Sequence, residues 1–220
     1  EKLAWMTSGR FSFNEYLVRF YNGVLYGPIA NKRLPNNKPV FFDFANKVVW
    51  RPTNRDNISL TSYVSYDSYR VDSLFSIANI VPRQSTMQYG HNNLALRWNR
   101  SISEQMNLNV LAVQSLYNTS TSAEDVKVGF DFDTRLRYHN VKGELTYAPS
   151  TRQRINMGAS ITRYGISPAE LLPREGSSVA TVVLPDERAF ETAVFISDEY
   201  EIGDRLLIEP GLRYVQYWNL

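Results

Sequence analysis

Cysteine is missing from the chain, which excludes a disulfide framework and a thiolate metal site and leaves the compartment open. Histidine is scarce. His91 and His139 are the only two, and neither sits among carboxylates or thiols at the spacing of a catalytic or zinc site. A charge of one sign is lacking as well: 24 Lys+Arg face 22 Asp+Glu, a formal net charge of +2, so nothing points to nucleic acid as a partner. No apolar run is long enough for a membrane-spanning helix, and mean hydropathy is -0.34, which excludes a helical membrane protein. Gly-rich phosphate loops and nucleophile elbows are absent too. The expectation is therefore no catalytic residue, no metal site, no cofactor and no enzymatic activity. No secretory signal precedes Glu1, as expected of a mature chain or of a piece from further inside one.

Aromatic residues are what the chain has in quantity: 14 Tyr, 11 Phe and 4 Trp, spread along its whole length. Transmembrane β-strands need only about 9–11 residues and alternate apolar with polar, so a β-barrel is compatible with this mean hydropathy. Alternation is plain at Val126–Tyr138, where Val126, Val128, Phe130, Phe132, Thr134, Leu136 and Tyr138 take turns with Lys127, Gly129, Asp131, Asp133, Arg135 and Arg137. Helical spacing cannot produce this; a strand with one greasy and one wet face does. Ile58, Leu60, Val64 and Tyr66 oppose Ser59, Thr61, Ser65 and Asp67 in the same way, and Ile155, Met157, Ala159 and Ile161 oppose Asn156, Ser160 and Thr162. About nine strands are predicted, over 3–13, 39–52, 57–70, 88–101, 105–118, 126–149, 154–166, 188–201 and 205–219. In the sixth the apolar parity changes at His139-Asn140, after which Val141, Leu145 and Tyr147 carry the apolar face, and this predicts a β-bulge there.

Turns come in two kinds. Short polar ones surround Thr53-Asn54-Arg55-Asp56, Ser103-Glu104-Gln105, Ser150-Thr151-Arg152 and Gly203-Asp204, while longer segments fall at Glu15–Lys38, Val71–Gln88, Asn118–Asp125 and Gly165–Glu187. Short turns at one end and long loops at the other are the plan of an outer-membrane barrel. Trp50, Trp98 and Tyr147 lie near short turns, and Tyr66 and Tyr138 lie farther along their strands; these predict two aromatic girdles on one apolar face. An odd number of strands cannot close as an ordinary even-stranded bacterial barrel, and an open edge in lipid leaves backbone groups unpaired, so further strands are expected from more chain or another molecule. Asp43, Lys47, Asp131, Asp133, Arg135 and Arg137 are expected to face the lumen. Tyr16, Arg19, Phe20, Tyr21 and Tyr26 in the first long loop are candidate ligand contacts, because aromatic rings beside a cation suit ligand capture. The last long loop, with Val179–Leu184, is a candidate lid or contact for a surface lipoprotein.

Several segments resemble the barrel of TonB-dependent outer-membrane receptors of Bacteroidota, of the carboxypeptidase-regulatory-like class. They are the run Phe41–Trp50, Ile58–Tyr63 with Asp67, Leu145–Pro149 followed by Met157-Gly158-Ala159, the pair Asp198-Glu199, and Glu209–Tyr214. The resemblance implies that residues 1–220 form part of one outer-membrane barrel domain of about 22 strands. It implies a plug domain and a segment contacting the TonB complex outside this chain, and import of a scarce or bulky nutrient such as a siderophore, haem, cobalamin, glycan or peptide. The alternative function is a structural or secretion-associated outer-membrane barrel that anchors partner proteins without importing anything.

Overall fold

The structure is a computed structural model that describes residues 2–12, 16–17, 20, 24, 38–72, 84–125, 127–203 and 205–220. Nine long strands run in chain order: β1 (Leu3–Phe11), β2 (Lys38–Trp50), β3 (Asp56–Asp72), β4 (Gln84–Ser101), β5 (Met106–Glu124), β6 (Phe130–Ser150), β7 (Gln153–Pro173), β9 (Glu187–Ile202) and β11 (Gly211–Asn219). Two short strands complete the set, β8 (Val182–Val183) and β10 (Leu206–Ile208). Neighbours in sequence are neighbours in space and all pairs are antiparallel, in the order β1-β2-β3-β4-β5-β6-β7-β9-β10, with β11 beside β9 and β8 beside β7. β10 and β11 lie on the same edge of β9 in one continuous register, from Leu206↔Ile202 to Asn219↔Ala189. The break between them falls at Glu209-Pro210 because proline has no N–H to give to the ladder; its carbonyl still accepts from Asp198 N–H at 3.0 Å.

The strands make a single curved layer. Among the described residues the buried apolar side chains are only Ala123, Ala189 and Ala193, and no large side chain is fully buried. A water-soluble β-sandwich buries one face of each sheet against another layer, and among the described residues no second sheet packs on this one. Instead one face exposes large hydrophobic residues from strand to strand.

Register shows which residues share a face, since directly opposed residues point the same way. One row crosses seven strands as Trp5, Val48, Leu60, Leu96, Ala112, Val141 and Ile161. The next row, on the opposite face, reads Ser59, Arg97, Leu111, Lys142 and Ser160. In the half of the sheet nearest the short turns, one face is therefore apolar and the other polar. Farther up the same strands the pattern exchanges. The row Ser68, Gln88, Ser120, Asp133 and Glu170 lies on the face that was apolar below, and Tyr69, Met87, Thr121, Phe132 and Leu171 lie on the face that was polar. On β6 between Phe130 and Lys142 the exposed residues Asp133, Arg135, Arg137, His139 and Val141 belong to the first face and only Leu136 to the second, where Tyr138, Asn140 and Lys142 are half-buried, the balance expected where the first face is convex.

Four expectations need correction. The β-bulge predicted at His139-Asn140 does not exist: β5 and β6 pair without a break from Met106↔Tyr147 to Ala123↔Phe130, and on the other side Tyr138, His139 and Asn140 pair Tyr164, Arg163 and Thr162 in step. The register shifts between β6 and β7 lie instead at Asp133/Arg135 and Tyr147/Ser150. Because the parity holds, Tyr138 points to the face opposite that of Val141 and cannot share a girdle with Tyr66. For the same reason the six charged residues expected on one lumenal face are divided: Asp43 and Lys47 lie on the polar face, and Asp131, Asp133, Arg135 and Arg137 lie on the other, in line with Val141 and Leu145. Finally, several strands run past their expected ends, β5 to Glu124 and β7 to Pro173, so the connections above them are shorter than the sequence suggested. Much of the long segments 15–38 and 71–88, together with Val126 and Asp204, falls outside the described residues.

Candidate functional site

The short turns share one local device. Thr53, Ser103 and Ser150 each accept on their side-chain oxygen from the N–H two residues ahead, Arg55 at 3.1 Å, Gln105 at 3.3 Å and Arg152 at 3.3 Å. This side-chain-to-backbone turn gives the chain a tight reversal without glycine. At the first turn Thr53 also donates to Asp56 Oδ2 at 2.6 Å, and Trp98 Nε1 donates to Asp56 Oδ1 at 3.0 Å. That second bond gives the Trp98 ring a wet edge at the end of an otherwise apolar face, the position amphipathic aromatics favour at a membrane interface.

The polar face carries a row of amides and a carboxylate, Asn57, Asn99, Asn109 and Glu144, opposed strand by strand. They line an open basin of about 1050 Å³ beside Arg51, Arg55 and Thr146. The carboxamide oxygens of Asn57 and Asn109 are buried beneath it without a hydrogen-bond partner among the described residues. Midway up the same face, His91 lies edge-on between Tyr63 and Tyr117, with ring centroids 5.8 Å and 6.3 Å away, and its Nε2 is 3.0 Å from Ser115 Oγ. Tyr138 and Tyr164 form a second edge-to-face pair at 5.6 Å, with the Tyr164 hydroxyl donating to Glu191 at 3.4 Å. Hydroxyls, amides and aromatic edges in alternation make a surface for binding and guiding polar solutes.

The expected site residues fare differently. Asp43 is ion-paired with Arg10, whose Nη2 lies 2.6 Å from Oδ2 while Nε donates to the same oxygen at 2.7 Å. Lys47 lies on that face between Met6 and Thr61. Asp131 binds neither Arg135 nor Arg137. Arg174 from the connection after β7 donates to it from Nε at 3.2 Å and from Nη2 at 2.8 Å, and its Nη1 lies 3.6 Å from Glu124. The hydrogen bonds to Asp131 hold the Arg174 pKa above its ordinary value. Arg135 donates from Nε to Asn118 at 3.1 Å, and Arg137 opposes Leu116 and Gly165. Of the loop candidates, Tyr16 and Phe20 are helical and exposed, while Arg19, Tyr21 and Tyr26 lie outside the described residues. The connection after β7 folds back along the sheet: β8 pairs β7 through Glu170↔Val183 and Leu171↔Val182, and Arg174 N–H and Ser178 N–H donate to the Gly129 and Lys127 carbonyls. Sequence reading missed the anchoring role of Arg174, whose only signal was an arginine in a loop beside an acidic strand end.

No family model matches this chain, and no curated protein matches it. Among solved structures, the chain is similar to one described as Copper transporter OprC, with a TM-score of 0.65 at 13% sequence identity, covering 84% of this chain and 29% of that one. At that identity the likeness concerns the fold, an antiparallel wall of transmembrane-barrel type, and the chain spans 29% of the length of the protein it matches.

Proposed function

We propose that this chain forms part of the wall of an outer-membrane TonB-dependent transporter that imports a scarce or bulky nutrient. The observation that carries the reading is the single-layer antiparallel sheet whose lower half exposes a continuous apolar face, the row from Trp5 to Ile161, and backs it with an amide- and hydroxyl-rich face. Lipid satisfies the first face and an aqueous lumen the second. Among the described residues β1 pairs only with β2 and β11 only with β9; their outer edges pair with further strands, because unpaired backbone groups in hydrocarbon cost several kcal/mol each. The rest of the barrel, a plug and the TonB-contacting segment belong to the remainder of such a transporter.

The cargo is a siderophore, haem, cobalamin, glycan or peptide, captured above the barrel with help from Tyr16, Arg19, Phe20, Tyr21 and Tyr26. The copper in the name of the similar structure is not carried over, since no group of three or more His, Asp and Glu among the described residues could hold a metal ion. The test is growth on a panel of sole iron, cobalamin, glycan and peptide sources, in cells with and without the full-length protein and in cells lacking TonB. Loss of growth on one source, matched by loss of TonB, is expected. Unaltered growth on all sources, with the protein present in the outer membrane, would favour an anchoring barrel. Changing Tyr16 and Phe20 to Ala should weaken uptake of the identified nutrient without reducing barrel assembly; unchanged uptake removes that loop from capture.

A further inference from the structure

We propose that the convex face carries, at the upper rim of its apolar band, a binding site for the phosphate groups of an anionic lipid in the outward-facing leaflet. The proposal rests on the membrane reading above. Arg163 stands directly opposite His139 on one side and Phe190 on the other, and its guanidinium lies over the Phe190 ring, 5.9 Å from the centroid. One step higher, Gly165 stands between Arg137 and Arg188. A side chain there would meet the stem of Arg137, with Cβ at 3.7 Å and Cδ at 4.0 Å, so the missing side chain leaves a notch with arginines on three sides. Directly opposed residues on a sheet lie about 5 Å apart at Cβ, close enough for the long side chains to converge on one phosphate. Arg137, Arg163 and Arg188 are all exposed, and none forms an ion pair with a described residue.

Neighbouring acids do not neutralise the notch. Glu187 and Glu191 alternate with Arg188 and project from the opposite face, and Tyr164 occupies Glu191 there. Asp133, Glu170 and Asp186 share the convex face but gather around Arg135 and Ser167 in the recess above the notch, and none of them is ion-paired with the three arginines. Height supports the assignment. Ten residues separate Tyr147 near the short turn from Arg137, which at about 3.4 Å per residue and a tilt near 45° is roughly 24 Å of rise, close to the apolar band of about 25 Å. Below the notch the same face is apolar, with Val141, Ile161 and Val194 exposed, so acyl chains lie against these residues while arginine stems run up to the headgroup level. Guanidinium groups form forked, charge-assisted bonds to phosphate oxygens, which favours a phosphorylated headgroup over a zwitterionic one.

The test uses the full-length protein extracted in detergent, with native mass spectrometry counting bound lipid. The probes are bisphosphorylated lipid A, the same lipid after enzymatic dephosphorylation, and inorganic phosphate. Wild type should retain the bisphosphorylated lipid at about tenfold lower concentration than the dephosphorylated one. The triple change R137A/R163A/R188A should abolish that preference, R137K/R163K/R188K should keep part of it, and phosphate alone should fail to compete at equal concentration. Should the alanine variant not assemble, the wild-type comparison of the two lipids still decides. Equal retention of both lipids by wild type overturns the site yet leaves the membrane reading intact. Equal binding of free phosphate shows an ion site with no lipid specificity and also overturns it. A protein that stays soluble without detergent and retains no lipid sinks both readings.

Discussion

The lower and upper halves of this wall use the same strands in opposite ways. Below the row Ser62, Leu94, Gln114 and His139, the convex face is apolar and the concave face polar. Above it, the convex face carries serines, glutamine and charges, and the concave face carries Tyr69, Met87, Phe132 and Leu171. Between β5 and β6 the register does not change across that line, and only β7 slips by one residue against β6, at Asp133/Arg135. What changes is the surroundings. On the proposed reading the lower half meets lipid outside and water inside, whereas the upper half stands in water outside and packs its aromatics inward. Alternation in a strand thus reports which medium each side chain meets, and a reversal of parity need not mean a change of geometry.

The largest expected effect breaks or upholds this comparison directly. Leu96→Arg, in the middle of the lower convex row, should cost about 2–4 kcal/mol, as a cation near the bilayer midplane does. Ser68→Arg, on the same face in the upper half, should cost about 0–1 kcal/mol. The measurement is the urea midpoint for unfolding of the full-length protein from lipid vesicles. Equal costs at the two positions would mean that the two halves meet the same medium, and the proposed membrane boundary would be wrong.

A second comparison, between two glycines of the lower half, concerns packing within the sheet. A Cβ at Gly158 would lie 2.5 Å from the Gly143 carbonyl oxygen and 2.6 Å from Phe195 Cζ, while a Cβ at Gly143 would meet nothing within 4 Å. Lys142 Nζ lies 5.0 Å from the Phe195 ring centroid on the same face, a cation–π contact that favours this position of the ring. Gly158→Ala should therefore destabilise by about 1–3 kcal/mol, as overpacking does. Gly143→Ala should lie within about 0.5 kcal/mol of wild type, as surface changes do. The same urea titration reads both, and a harmless Gly158→Ala would show that Phe195 swings freely out of the way.

The division into halves also explains how much of the molecule could be read from the sequence. Strand number, antiparallel order and the positions of the first three short turns follow from period-two alternation and from Thr53, Ser103 and Ser150, because these are local signals. The apolar rows of β3 and β7 were legible for the same reason. The face of Asp131–Arg137 was not. A lone strand cannot say whether Phe130, Phe132, Leu136 and Tyr138 are greasy because they touch lipid or because they pack inward above it, and the bulge was the device that kept one answer for both halves. The Arg137, Arg163 and Arg188 notch was illegible because its members lie on three strands and only pairing brings them together. Arg174 was missed as a partner for Asp131 because nothing local tells how the connection after β7 returns to the sheet.

That connection offers a smaller test within the upper half. Asp131→Ala removes both hydrogen bonds to Arg174, whose side chain is 37% exposed. Half-exposed charge pairs contribute about 0.2–1 kcal/mol, so global stability should hardly move, while cleavage by protease between Arg174 and Asp186 should quicken by a few-fold. A cleavage rate equal to wild type would show that the backbone bonds from Arg174 and Ser178 N–H hold the segment without the ion pair.

The smallest effect belongs to the short-turn end, where the lower half closes. Thr53→Ala removes the acceptor for Arg55 N–H and Asp56 N–H, each at 3.1 Å, and the donor to Asp56 at 2.6 Å. The turn is exposed and water replaces each partner, so the cost should be about 0.5–1 kcal/mol, the net worth of an exposed hydrogen bond. Thr53→Ser keeps the hydroxyl and should recover most of it. The pair distinguishes the hydroxyl from the methyl group: if Ser and Ala are equally destabilised, the turn is held by packing against Trp98, and the shared role of Thr53, Ser103 and Ser150 is a coincidence of composition. If Ser behaves as wild type, the three turns are one device used along the same edge, and the register that sets the two halves of the wall starts from it.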